Sequence, residues 1–272
     1  MYKLVVSDLD GTLLGPDHRL GDYTRQVLGR VRAAGVDLIL ASGRHFMDVR
    51  VLSGQLGAHG CLISCNGAAV NDAQGRLIQS LCIDQESVRF LLRDPLFASV
   101  HINVFLTNAW LVQRPEPSLL RYHQESGFCY QVVDFAGLGD AQVLKVFYFG
   151  EHRHLVELEA AILERAGDRL GTTFSLPQTL EVMAAGVTKG AALGLVLEGL
   201  GLSPADVLCF GDGLNDLEML RLAGKGVLMD NADPRLQADL PGLEVIGSNA
   251  EESVARYLDA LLDAGALGPE TQ

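Results

Sequence analysis

Lysine and arginine are scarce in this chain: 21 against 34 aspartates and glutamates in 272 residues, a formal net charge of −13. Such a surface repels nucleic acid and anionic lipid, which argues against a non-specific phosphate-backbone binder. A small anionic substrate would need a local positive site, from a metal ion or a few cations, against the general field. Cysteine is sparse too. Five occur, at 61, 65, 82, 129 and 209, with no CxxC pair. An odd number without paired spacing speaks for reduced, mostly buried thiols in a cytoplasmic protein. Cys61 and Cys65 have the look of half a metal site, but no second pair accompanies them. No run of about 18 apolar residues is present, so no membrane span is expected. Asp8 and Asp10 interrupt the first apolar stretch, where a secretory leader needs continuity. Internal repeats and low-complexity tracts are likewise missing.

What is present is a chain of 48% hydrophobic residues, long for one compact core and comfortable for two lobes. Short apolar runs alternate with amphipathic segments at both ends. Lys3 to Asp8, Val36 to Ala41, Cys61 to Ser64, Val207 to Phe210 and Gly226 to Met229 read as strands. Residues 22–34, 45–56, 189–200, 215–223 and 250–263 read as helices, with Gly35 stopping the first. This alternation predicts an α/β fold, a Rossmann-like parallel sheet with helices on both faces. The middle differs. Strand-like runs at 99–105, 110–113, 130–133 and 143–149, with helical stretches at 85–93, 116–125 and 152–166, predict a small α+β domain inserted at 84–184. The core then comprises 1–83 and 185–272, with Gly265 to Gln272 expected to fray.

Ser7-Asp8-Leu9-Asp10-Gly11-Thr12-Leu13 follows the first strand. In an open parallel sheet, ligands bind beyond the carboxyl ends of the strands, where these residues fall. Two carboxylates at i and i+2 can converge on one site, and Gly11 permits a sharp exit. An acidic turn is the plain alternative. A calcium loop places its glycine sixth from the first acid, whereas Gly11 is fourth. Gly211-Asp212-Gly213-Leu214-Asn215-Asp216 follows another apolar strand. If the two strands are neighbours, Asp212 joins Asp8 and Asp10 at one sheet edge. Carboxylates about 4 Å apart repel by roughly 4 kcal/mol at an effective dielectric near 20, so such a cluster calls for a cation. Hard oxygen ligands beside a phosphate site favour Mg²⁺. Ala41-Ser42-Gly43-Arg44 opens a helix and offers a hydroxyl and free N–H groups as a phosphate cradle, or serves as an ordinary N-cap. Lys189, in Gly186-Val187-Thr188-Lys189-Gly190, is either a solvated surface lysine or a site cation where the chain returns from the insertion.

DLDGT at 8–12, ASGR at 41–44, Lys189 and GDGLND at 211–216 together resemble the four motifs of the haloacid dehalogenase-like superfamily. Only 34 residues separate Asp8 from Ser42, while 147 separate Ser42 from Lys189, room enough for a domain. That arrangement resembles the Cof-type branch, whose α+β cap lies between the second and third motifs. MYKLVVSDLDGTLLGPDH, Cys65-Asn66-Gly67-Ala68 and LEVMAAGVTKG extend the similarity, and look most like bacterial pyridoxal phosphate phosphatases. Ser42 stands where Thr is common and Thr188 where Ser is common; both keep the hydroxyl.

The resemblance implies a Mg²⁺-dependent phosphatase of small phosphorylated metabolites, such as pyridoxal 5′-phosphate or sugar phosphates, with no nucleic acid, membrane or protein partner. Asp8 would be the nucleophile and Asp10 the general acid and base. Mg²⁺ would lie on Asp8, the Asp10 carbonyl and Asp212. Leu9, Ser42, Gly43, Lys189 and Asn215 would hold the phosphoryl group. Asp216 would orient Lys189 or a metal-bound water, Thr12 would steady the loop, and Arg44 would meet the leaving group. A phosphotransferase or phosphomutase shares all four motifs; a non-catalytic metabolite sensor would have lost one of the reacting groups, and none is lost here. Of the remaining signals, His152 and His154 read as a solvated helix end before a metal pair. His45 and the Asn66-Gly67 turn are candidates for the edge of the site. Phe105, Trp110 and Tyr122 read as core of the insertion before a stacking box.

Overall fold

The computed structural model describes residues 1–57 and 60–268. The chain opens with β1 (Leu4–Ser7), α1 (Asp22–Ala33), β2 (Asp37–Ala41), α2 (Phe46–Leu56), β3 (Leu62–Ser64), β4 (Ala69–Asn71) and β5 (Leu77–Ser80). A second set follows: α3 (Gln85–Arg93), β6 (His101–Leu106), β7 (Trp110–Val112), β8 (Gln131–Val132), β9 (Val143–Phe149), α4 (His152–Ala166), β10 (Leu170–Leu176) and β11 (Thr179–Ala184). The chain then returns through α5 (Lys189–Leu200), β12 (Val207–Gly211), α6 (Leu217–Leu222), β13 (Lys225–Met229), α7 (Pro234–Asp239), β14 (Glu244–Ile246) and α8 (Ser253–Asp263).

The first and third sets build one eight-stranded sheet, ordered β14-β13-β12-β1-β2-β3-β4-β5. It is parallel from β14 to β3, and the β4–β5 hairpin closes that edge antiparallel. Both faces of its inner strands are apolar, as burial on two sides requires. Val5, Leu40 and Phe210 pack with α1, α2 and α8, while Val6, Ile39 and Cys209 pack with α5, α6 and α7. The predicted α/β core with helices on both faces is therefore present. α1 ends before Gly35, which takes a positive φ of 78° at no steric cost. The Thr188 hydroxyl caps α5 by accepting the Ala191 N–H at 3.0 Å.

The middle set forms a separate six-stranded sheet, β10-β11-β9-β6-β7-β8, antiparallel except where β7 meets β8. Strand alternation divides its faces. Leu180, Val182, Val146 and Tyr148 pack beneath α3 and α4. Phe105, Trp110, Phe147 and Met183 turn the other way and pack with Cys65, Ala68 and Ala69 of the parallel-sheet unit. Trp110 and Phe105 are thus buried, as expected of core.

Several elements differ from expectation. The strands β4, β5, β10, β11 and β14 and the helix α7 had no counterpart in the sequence pattern. The helix expected at 116–125 is a 3₁₀ segment, Pro117–His123. The frayed end expected from 265 is ordered at first: Leu267 is buried and bridges to Tyr2. The remainder of that expectation, 269–272, lies outside the described residues. All five cysteines are free, but only Cys65 and Cys209 are buried; Cys129 is exposed. No described helix is long and apolar enough to cross a membrane.

Candidate active site

β1 and β12 are parallel neighbours, so their carboxyl ends deliver Asp8 and Asp212 to one edge. The Asp8 N–H donates to the Phe210 carbonyl at 3.1 Å, which ties the first acidic loop to the second strand. Gly11 follows with φ +82°, and a Cβ there would fall 2.2 Å from Asp212 Oδ2. Only glycine allows both the turn and that approach. Thr12 Oγ1 donates to Asp212 Oδ1 at 2.6 Å, a hydrogen bond between the two loops.

Lys189 is fully buried between two carboxylates. Its Nζ donates to Asp8 Oδ1 and to Asp216 Oδ1, both at 2.6 Å. The surface-lysine alternative is thereby removed. Burial opposes the ammonium form, yet Asp216 and Asp8 outweigh it and raise the Lys189 pKa. Asp216 uses its other oxygen to accept the N–H groups of Asp212 at 3.0 Å and Gly213 at 2.9 Å. Ligand oxygens of Asp8, Asp212 and Asp216 lie within 4.8 Å of one another. Burial pushes Asp8 up to about 7, with Asp216 adding to the rise against Lys189. Burial, then Asp8 and Asp216, hold Asp212 well above its ordinary value. Three crowded acids with one lysine between them are a donor set of hard oxygens short of positive charge, which fits a divalent cation.

Asp10 belongs to a different set of contacts. Arg44 grips it with a two-pronged fork, Nε to Oδ2 and Nη2 to Oδ1, both at 2.6 Å. His18 Nδ1 lies 2.8 Å from Oδ1. Burial opposes the charge on Asp10, but Arg44 and then His18 prevail and hold its carboxyl well below the usual range. Arg44 Nη1 also donates to buried Asp48 at 3.0 Å, and Asp48 meets His123 of the second sheet's unit at 2.8 Å. The fork of Arg44 is therefore occupied by two carboxylates, Asp10 and Asp48.

The remaining expected residues converge on the same cavity of about 310 Å³. Asp8, Asp10, Ser42, Gly43, Arg44, Asp212 and Asn215 line it. Ser42 is buried, and Leu9 places its side chain in the core beneath. Asn215 Nδ2 donates to Asn66 Oδ1 at 3.0 Å, and Asn66 sits in the left-handed region at φ 58°. The turn at 66–67 thus touches the site through Asn215, although neither of its residues lines the cavity. His45 is not among the cavity-lining residues: it is buried as the N-cap of α2, with Nε2 2.8 Å from the Leu106 carbonyl. His152 and His154 point to the Pro177 carbonyl and the Ser99 hydroxyl, and no metal group forms there among the described residues. Phe105, Trp110 and Tyr122 are core or rim and cavity wall at once.

Residues 5–258 match the haloacid dehalogenase-like hydrolases as a family. The chain belongs to that family. It is 44% identical over 260 residues to a Haemophilus influenzae protein that carries a provisional phosphatase name, covering 94% of this chain and 96% of that one. It is 38% identical over 263 residues to the HMP-PP phosphatase of Cronobacter sakazakii, with 97% of each chain covered. Among solved structures, a haloacid dehalogenase-like hydrolase from Bacteroides thetaiotaomicron superposes with a TM-score of 0.85 at 25% identity, over 96% of this chain and 100% of that one. The hydrolase family accounts for the Cof-type α/β core and the inserted α+β unit.

The titratable residues of this hydrolase's cavity that sequence reasoning passed over are His18, His123, Lys145 and Glu181. Two of them had left a trace. Lys145 interrupts the apolar run of β9 and Glu181 that of β11, and a charge inside a buried strand requires a partner. His18 and His123 carried no such trace, since neither interrupts an apolar element.

Proposed function

We propose that this phosphatase hydrolyses small phosphate esters through an aspartyl-phosphate on Asp8. The observation that carries the reading is the buried Asp8–Lys189–Asp216 arrangement beside Asp212. A carboxylate oxygen of Asp8 attacks phosphorus, the bond to the ester oxygen breaks, and that oxygen takes a proton from Asp10. Water then attacks the phosphorus and gives its proton to Asp10. The bond to Asp8 breaks, and phosphate leaves. Lys189, the Ser42 hydroxyl, Asn215 and the N–H groups of Leu9 and Gly43 hold the phosphoryl oxygens and oppose their charge. Arg44 and His18 keep Asp10 ionised, the form that accepts a proton from water. Donation to the ester oxygen requires Asp10 to leave the Arg44 fork and take up a proton.

Mg²⁺ would be held by the carboxylates of Asp8 and Asp212 and by the Asp10 carbonyl, with Asp216 in support. When bound, it neutralises the crowded acids and draws charge from the phosphoryl oxygens. The inserted unit acts as a cap that sets which leaving group fits. Its aromatic wall favours pyridoxal 5′-phosphate over sugar phosphates, and the HMP-PP of the named relatives belongs in the same trial. Phosphate release with no added acceptor, ranked by kcat/KM over these esters, tests the function. Turnover only in the presence of an acceptor hydroxyl would make the protein a phosphotransferase. Pyridoxal 5′-phosphate near the bottom of the ranking would remove that substrate.

A metal experiment follows from the acids. In metal-free protein the raised Asp8 and Asp212 stay protonated after the unfolded chain has ionised near its ordinary 3.8. Their contribution to stability is complete below that value and is lost as pH rises through the folded pKa. A cation that binds the ionised forms must expel these protons at low pH. Replacing EDTA with Mg²⁺ should therefore raise Tm more at about pH 7.5 than at about pH 5. An equal or smaller rise at the higher pH counts against carboxylate ligation.

A further inference from the structure

The cavity wall contributed by the second sheet sets the rings of Phe105, Trp110 and Phe147 beside Ser175, Leu176 and Thr179, and it carries one buried ion pair. Lys145 of β9 and Glu181 of β11 are 2% and 4% exposed, and Lys145 Nζ donates to Glu181 Oε1 at 2.7 Å. A buried pair of this kind adds little to stability over apolar residues of similar volume. Its place in the cavity wall therefore asks for another reason. The same Nζ donates to the Gly43 carbonyl at 2.6 Å, and Glu181 Oε2 accepts from Asn66 Nδ2. The pair thus sits directly against the loop that cradles the phosphoryl group. Phe105 and Phe147 present their faces to Lys145 at 4.9 and 5.3 Å from ring centroid to Nζ.

An ammonium has three N–H donors and each carboxylate oxygen two acceptor sites, so these contacts leave the pair one donor and further acceptor capacity. Both residues line the cavity, as do Phe105, Trp110 and Phe147. A flat apolar body can lie against such rings, and a hydrogen-bonding edge of that body would meet both a donor and an acceptor. We propose that Lys145 and Glu181 are specificity-determining residues that read the polar edge of a planar heteroaromatic leaving group. A plain benzene ring would leave the ion pair unanswered. The inference rests on the phosphatase reading of the site and gives it a substrate class.

Pyridoxal 5′-phosphate and benzyl phosphate share a ring and a methylene ester but differ in the polar ring edge. Wild-type kcat/KM should favour the former by about 100-fold. A ratio below about tenfold, with phosphate released from both, overturns the assignment and leaves the phosphatase standing. Release from neither ester overturns the assignment, and absence of release from sugar phosphates and HMP-PP as well overturns the phosphatase reading. The substitutions Lys145→Met and Glu181→Gln should each shrink the ratio at least about tenfold, because the polar edge loses its partner while benzyl phosphate has none to lose. An equal fall for the two esters would make the pair a structural latch between β9 and the Ser42–Arg44 loop, and would overturn it as a reader of the ring. Should either variant fail to fold, the wild-type ratio decides.

Discussion

Asp8→Asn is expected to lower kcat for phosphate release by at least about 10⁴-fold, equivalent to some 5.5 kcal/mol in the barrier, while leaving the fold in place. The amide keeps the shape of the carboxylate, and its oxygen can still accept the Lys189 hydrogen bond now made by Asp8 Oδ1. It lacks the charge and nucleophilicity that the covalent step uses. Removing an acid whose ionised form is opposed by burial also relieves the cluster, so metal-free Asp8→Asn should unfold no lower than the wild type. Phosphate release and thermal unfolding on the same preparation separate the two effects. Retention of more than a few per cent of activity would sink the aspartyl-phosphate mechanism.

Lys189→Met should be damaging in both respects. The lysine is fully buried and is the cation held by both Asp8 and Asp216. Taking one member from a buried ionic group leaves unpaired charge behind and typically costs about 3–5 kcal/mol. Turnover should fall as well, because Lys189 is the cation beside the nucleophile that is placed to meet the phosphoryl oxygens. Pairing it with Asp216→Asn removes one stranded carboxylate. The double variant should recover part of the lost stability and none of the lost activity. Recovery of activity along with stability would show that Lys189 serves the fold alone.

The legible parts of this protein are those whose partners lie close along the chain or whose elements are apolar on both faces. β1, β2, β12 and β13 announce themselves as short apolar runs because helices cover both sides of them. β5 and β14 do not, since they are the edges of the sheet and expose most of their residues. β10 carries Thr172, Thr173 and Ser175 on a partly exposed hairpin, which hides its alternation. The acidic motifs were readable because β1 and β12 each end in their own acids. The aromatic wall was half readable: Phe105 and Trp110 looked like core, and they are core, but the face of the sheet that buries them also borders the cavity.

By itself the sequence determined the α/β core and the acids at the strand ends. These follow from local periodicity and from motifs a few residues long. Only the tertiary structure decided how those acids are charged. Asp10 lies two residues from Asp8, yet Arg44, 34 positions away, holds it as a carboxylate, while burial drives Asp8 the other way. Lys189 reaches Asp8 across 181 positions, and Lys145 finds Glu181 across 36 and the Gly43 carbonyl across 102. The reason is physical. A carboxyl group's protonation depends on the dielectric and the charges within a few ångströms, and those neighbours are chosen by sheet register and by the packing of one sheet against the other.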